Sequence, residues 1–231
     1  MNVLRMMTVV FDAPLFYNEI RMFRGAVIHA AGEECDLFHN HLGQGFAYRY
    51  PLVQYRIIGG KAAIVCLNEA IEQIQSLFSN GFIGRSLTIG DDDRGQLLIQ
   101  SIRQNEYGLK MLEHTHSYHI SRWLPLNQQN YDLWKKQNTA ENRMAILNAV
   151  LVGNIISFAK GVGWQIPGRI LCEIDVTSIT TRLLSYKDQH LLSFSLDFSS
   201  NVFLPIGIGL GKGVSVNCGV LSRCRMDSQH D

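Results

Sequence analysis

Two consecutive glycines, Gly59 and Gly60, separate two strand-like runs, Tyr48 to Ile58 and Lys61 to Leu67. A glycine pair between such runs is the signature of a tight hairpin turn, whose backbone favours positive φ. This antiparallel hairpin fixes where the neighbouring elements can go. Upstream, Arg5 to Phe11 reads as a buried strand and Asp12-Ala13-Pro14 as a turn, with Asp12 able to cap the next helix. Leu15 to Ala31 places Leu15, Phe16, Ile20, Phe23, Val27 and Ile28 on one helical face. Downstream, Asn68 caps a helix from Glu69 to Phe78 with Ala70, Ile71, Ile74, Leu77 and Phe78 as its apolar stripe. Ser86 to Ile89 and Leu97 to Ile102 are short strands across an acidic turn, Asp91 to Gly95. The order is strand, helix, strand, strand, helix, strand, which is the ferredoxin-like arrangement.

The second half repeats that order more loosely. Leu112 to Leu124 is strand-like, Asn130 to Gln137 and Glu141 to Gly161 are helical, and three further strands are expected at 170–176, 181–186 and 191–198. A glycine-rich segment from Phe203 to Val220 ends in a last strand. The expected fold class is α+β, with two tandem ferredoxin-like (RRM-like) domains built on antiparallel sheets, 1–107 and 108–231.

Bulk properties exclude several classes. The chain has 231 residues, 46% hydrophobic and 18% charged, which fits a packed core rather than disorder. Its five cysteines are scattered without a CxxC pair, so no disulfide framework or cysteine zinc site is expected and a reducing, cytoplasmic setting is. No secretory signal is read at the N-terminus, and the apolar run Ala145 to Ala159 is interrupted by Asn148, Gly153, Asn154 and Ser157, so no membrane association is expected. The net charge is +1; residues 1–108 carry 9 basic and 11 acidic groups and residues 109–231 carry 12 and 9. The second half is the more basic and the better candidate for a phosphate-contacting surface.

The stretch Phe38-His39-Asn40-His41 followed by Tyr48-Arg49-Tyr50-Pro51 carries the chemistry. On an extended segment, His39 and His41 point the same way, roughly 6–7 Å apart at the backbone. One phosphodiester fits between two such imidazoles, one taking a proton from a ribose 2′-hydroxyl and the other giving one to the leaving 5′-oxygen. Arg49, Tyr48 and Tyr50 supply groups that hold phosphates and stack on bases. Against this stand two loop histidines without a task, or the start of a metal site, although no matching carboxylate cluster lies nearby apart from Asp36. A second cluster, His114, His116 and His119, cannot easily bind one metal on a regular strand, because His119 faces away from the other two.

The second feature is Gly207-Ile-Gly209-Leu-Gly211-Lys212-Gly213. Alternate glycines let a backbone approach a ligand closely, and their N–H groups can cradle phosphates beside the Lys212 charge. The segment lacks P-loop spacing, and the competing reading is a glycine-bulged strand at a sheet edge.

His39-Asn-His41 leading into Tyr48-Arg-Tyr-Pro-Leu-Val-Gln-Tyr-Arg56, the duplicated order and the terminal glycine-rich loop together resemble the CRISPR repeat-processing endoribonucleases of the RAMP superfamily, and within it the paired-histidine subgroup. The resemblance implies metal-free, cofactor-free cleavage of CRISPR repeat RNA by 2′-hydroxyl attack, leaving a 2′,3′-cyclic phosphate and a 5′-hydroxyl. It implies catalytic roles for His39, His41 and Tyr48, and RNA contacts from Arg24, Arg49, Tyr50, Gly207, Gly209, Gly211, Lys212 and Gly213. Other CRISPR effector subunits and a second copy of the chain are the further partners it allows. Its alternative is a RAMP-type RNA-binding subunit without catalysis. One departure stands out: where many members carry a catalytic lysine, the region before His39 offers Arg24 and His29.

Overall fold

The computed structural model describes residues 2–31, 50–90, 92–186 and 189–224. The chain forms two units, one of residues 1–108 with 215–217, the other of residues 109–214 with 218–231. Each is a ferredoxin-like α+β fold.

The first unit contains β1 (Asn2–Pro14), α1 (Ile20–Ala31), β2 (Val53–Ile58), β3 (Lys61–Leu67), α2 (Ala70–Leu77), a hairpin of β4 (Ser86–Ile89) and β5 (Asp92–Gln96), and β6 (Ile99–Leu109). Its main sheet has the order β2-β3-β1-β6. Gly59 and Gly60 turn between β2 and β3 with φ of 59° and 76°, as the glycine pair requires. The hairpin register pairs Tyr55 with Ile64 and Val53 with Cys66, and β1 continues it by pairing Val9 with Ile64. Those residues share one face of the sheet. Phe23 on α1 meets Phe11 edge-on at 6.1 Å and Tyr55 at 5.9 Å. Phe11 also meets Phe82, which closes the turn after α2, at 6.4 Å. Ile20, Phe23 and Val27 are buried, and this stripe fixes α1 against the sheet.

Several elements differ from the sequence reading. Asp12 to Pro14, expected as a turn, continue β1, and Asp12 pairs with Lys61 at 2.7 Å instead of capping a helix. Asn68, expected to cap α2, accepts the Arg5 backbone N–H through its side chain at 3.1 Å instead. The helix expected from Leu15 begins at Ile20. Glu19 instead accepts the Phe16 backbone N–H through its side chain at 2.9 Å, and holds Arg94 in a largely buried ion pair. The acidic run expected as a turn becomes strand β5, because Gly90, at φ 63°, turns the chain earlier.

The second unit contains β7 (Met111–Trp123), α3 (Gln128–Lys136), α4 (Ala140–Gly161), β8 (Cys172–Ile174), β9 (Thr180–Tyr186), β10 (Gln189–Val202) and β11 (Val220–Arg223). Its sheet runs β11-β7-β10-β8, with β9 also paired to β10. The long β10 holds β9 along its first half and β8 along its second. α3 and α4 start at caps from Asn127 and Thr139, whose side chains accept the N–H groups of Asn130 and Asn142. By length and composition α4 is apolar enough to cross a membrane. Its Leu147, Leu151, Ile155 and Phe158 are buried in this unit as one stripe of the helix. Between β10 and β11, where a second helix would complete the ferredoxin order, the chain runs through the glycine-rich segment instead.

Candidate nucleic-acid interface

His39, His41, Tyr48 and Arg49 lie outside the described residues. In sequence they fall between α1 and β2. β2 itself begins at Val53 rather than Tyr48, and Pro51 lies just before it, where a missing N–H costs no ladder bond.

Tyr50 is buried, with 8% of its surface exposed, so its ring is packed rather than presented for stacking. Its hydroxyl accepts a hydrogen bond from Gln54 Nε2 at 2.9 Å. The same amide nitrogen donates to the Pro51 carbonyl at 3.0 Å, and Gln54 Oε1 accepts from the Arg56 guanidinium. Arg56, 2% exposed, also donates to the Tyr55 carbonyl at 3.1 Å. Gln54 and Arg56 stand two apart on β2 and share the face opposite Tyr55. Their bonds tie Tyr50, the first described residue after the histidine segment, to the strand.

Tyr55 points to the helical side. Its hydroxyl is buried without a hydrogen-bond partner among the described residues, and burial pushes its pKa far above the phenol range, against a smaller opposing pull from the Arg24 charge. Arg24 lies half-buried on α1.

The free edge of β2 does not stay free. The Tyr55 backbone N–H donates to the Ser215 carbonyl at 3.0 Å, and Tyr55 and Val216 form a parallel bridge. Residues 215–217, which follow the glycine-rich run in sequence, belong to the first unit.

The glycine-rich run belongs to the second unit up to Val214. Gly209 is buried and bridges Val220 antiparallel, and Gly207 donates its N–H to the Leu221 carbonyl at 2.9 Å. A Cβ on Gly211 would lie 2.8 Å from Asn154 Oδ1 and 2.9 Å from Trp123 Nε1, two atoms already bonded to each other. A Cβ on Gly213 would lie 3.0 Å from both Cys218 and Tyr186, and one on Gly219 only 1.9 Å from the Leu210 carbonyl oxygen. Close packing within the protein therefore accounts for glycine at these three positions. Lys212 is half-exposed, with its ammonium 5.5 Å from the Tyr186 ring centre.

Of the second histidine cluster, His114 and His116 are exposed on β7. His119 faces the other way, and its Nδ1 lies 2.6 Å from Asp197 Oδ1 on β10. Among the described residues no group of three His, Cys, Asp or Glu is placed to hold a metal.

The sequence reading did not find the Tyr50-Gln54-Arg56 network. Alternation in Gln54, Tyr55 and Arg56 was the available signal: two polar side chains on one face of a strand in a buried hairpin need partners. The contact of Ser215 and Val216 with β2 had no local signal at all.

A family model described as the Cas6b N-terminal domain matches residues 2–107, and one described as the Cas6b C-terminal domain matches residues 110–224. A crystal structure of Cas6b is similar to this chain with a TM-score of 0.85 at 23% identity, over 96% of this chain and 100% of that one. A crystal structure of a CRISPR RNA processing endoribonuclease Cas6b gives 0.72 at 20% identity, over 96% and 100%. A CRISPR-associated protein Cas6 gives 0.55 at 12% identity, over the same shares. At such identities these likenesses establish the fold. No curated protein matches the chain.

Proposed function

The chain belongs to the Cas6b family, and from that premise we propose that it is an endoribonuclease that cuts CRISPR repeat RNA. The reading rests on family matches that cover both units, together with a solved Cas6b described as a CRISPR RNA processing endoribonuclease.

The chemistry comes from the residue types. One of His39 and His41, unprotonated, removes the proton of the 2′-hydroxyl upstream of the cut. The 2′-oxygen attacks phosphorus, and the bond to the 5′-oxygen breaks. The other histidine, protonated, donates to that leaving oxygen. The products are a 2′,3′-cyclic phosphate and a 5′-hydroxyl, and the two histidines end with their protonation states exchanged. Tyr48 is the neighbouring hydroxyl available to the phosphate. Negative charge grows on the phosphoryl oxygens, and Arg49 and Lys212 are the cations assigned to it and to the RNA backbone. Arg24, Tyr50 and the Gly207–Gly213 run complete the proposed RNA contacts. For Tyr50, Gly211 and Gly213 the packing described above makes a positioning role the better assignment.

The supporting geometry is the Tyr55–Ser215 contact. It holds Ser215, which follows the glycine-rich run in sequence, beside β2 within the first unit. The test uses a stem-loop repeat RNA with the protein in EDTA. Cutting with a cyclic phosphate end is expected. A single deoxynucleotide just upstream of the cut should stop cleavage and leave binding intact. Cleavage of that deoxy-substituted RNA would remove the mechanism.

A further inference from the structure

The first unit holds a groove of about 490 Å³ between α1 and the β4 hairpin. Met22, Gly25 and His29 line it from α1, at the i, i+3, i+7 spacing of one helical face. Phe82, Arg85 and Leu97 line the opposite side.

Its chemistry is divided. Phe82, Leu87 and Leu97 form an apolar floor, each under 5% exposed. A guanidinium, from Arg85, and an imidazole, from His29, also line the groove. Arg85 has one hydrogen bond, from Nη2 to the Asn80 carbonyl, stretched to 3.5 Å, and no carboxylate partner among the described residues. His29 is exposed and makes no hydrogen bond or ion pair among them. Among the described residues no acidic side chain lines the groove. The nearby Asp93 is engaged by Ser86 Oγ at 2.7 Å and by the Gly95 N–H at 2.9 Å. Gly25 keeps the helical wall low, for a side chain placed there meets nothing within 4 Å.

We propose that this groove holds one unpaired nucleotide of the RNA, with its base on the apolar floor and its phosphate between Arg85 and His29. The inference rests on the RNA-processing reading above. The volume suits a heterocycle carrying one phosphate. A guanidinium without a carboxylate partner is the preferred protein group for bidentate phosphate binding. Single-stranded RNA is recognised by setting bases on such surfaces, and the base face makes little demand on sequence. The site therefore anchors the strand rather than reading it.

The test fills the groove without touching the core. Gly25→Leu sits in a helix at ordinary φ, so its melting temperature should hold or rise. Its affinity for an uncleavable, deoxy-substituted repeat RNA should fall about tenfold, the scale of one lost base contact. Arg85→Gln should weaken binding similarly and flatten the salt dependence by about one phosphate contact. Gly25→Ala, which leaves the groove open, should bind as the wild type does. If the wild type cuts repeat RNA and Gly25→Leu, well folded, binds it unchanged, the groove is not a nucleotide site and the endoribonuclease reading stands. If the wild type neither binds nor cuts repeat RNA, that reading fails, and uridine and adenosine 5′-monophosphate titrations decide the groove by NMR. Shifts of the His29 ring in the wild type that Gly25→Leu abolishes would uphold a nucleotide site. No shifts, or equal response to inorganic phosphate, would overturn it.

Discussion

The backbone N–H of Tyr55 is bonded to the carbonyl of Ser215 at 3.0 Å, across 160 positions of sequence. Tyr55 thereby has two unrelated tasks. Its backbone closes the β2 edge, while its ring packs edge-on against Phe23. The hydroxyl contributes to neither task and is buried without a partner among the described residues.

Tyr55→Phe should therefore be neutral or stabilising, by about 1–2 kcal/mol, because it removes a desolvated hydroxyl and keeps the ring. Thermal unfolding reads this directly. A fall in melting temperature of several degrees would mean that the hydroxyl has a partner after all. Cleavage should be unchanged, which separates Tyr55 from Tyr48.

His39→Ala and His41→Ala should each slow single-turnover cleavage by roughly 10²–10⁴-fold, the span of one general acid or base. RNA affinity should change little. Wild-type rates in both variants would place the chemistry elsewhere in the chain.

The glycine-rich run predicts a split between stability and binding. Gly219→Ala forces a Cβ to 1.9 Å from the Leu210 carbonyl oxygen and should prevent normal folding or cost more than about 4 kcal/mol. Gly211→Ala should also destabilise, through Trp123 and Asn154. Lys212→Ala should leave the melting temperature within a few degrees and flatten the salt dependence of RNA binding by about one phosphate. A Lys212 variant with an unaltered salt slope would take this side chain out of the interface.

Cys172 is the half-exposed thiol among the described cysteines, yet burial pushes its pKa up to about 12. Only the thiolate alkylates readily, so iodoacetamide at neutral pH should label it roughly 10²–10³-fold more slowly than a free thiol. Mass spectrometry of peptides at early times measures the site directly. Labelling of Cys172 at the free-thiol rate would contradict the burial.

Much of the first unit was legible because its signals are local. Gly59-Gly60 dictated the hairpin, and the stripe Ile20, Phe23 and Val27 dictated α1. The reading failed where a distant partner decided the outcome. Glu19 looked helical, but Arg94 captures it on the hairpin side and the helix starts after it. Asp92 and Asp93 looked like turn residues, but β4 pairs with them. The candidate site divided in the same way. The residue types at His39, His41 and Lys212 stand in the sequence itself. That Gly211 answers to Trp123 depends on packing that no local spacing encodes, whereas the partner of Gln54 was signalled only by polar side chains on a strand in a buried hairpin.

The edge contact at Ser215 has a consequence for the order in which the protein is made. A ribosome that has released residues 1–108 has delivered every strand of the first sheet, but not residues 215–217, which lie along its edge. Until those residues emerge, β2 exposes unpaired backbone groups, the kind of edge that recruits strands from other chains. Synthesis at about 5–20 residues per second leaves that edge open for several seconds or more. The nascent first unit should therefore depend on chaperone cover during that interval, and a fragment ending at residue 108 should aggregate more readily than the full chain.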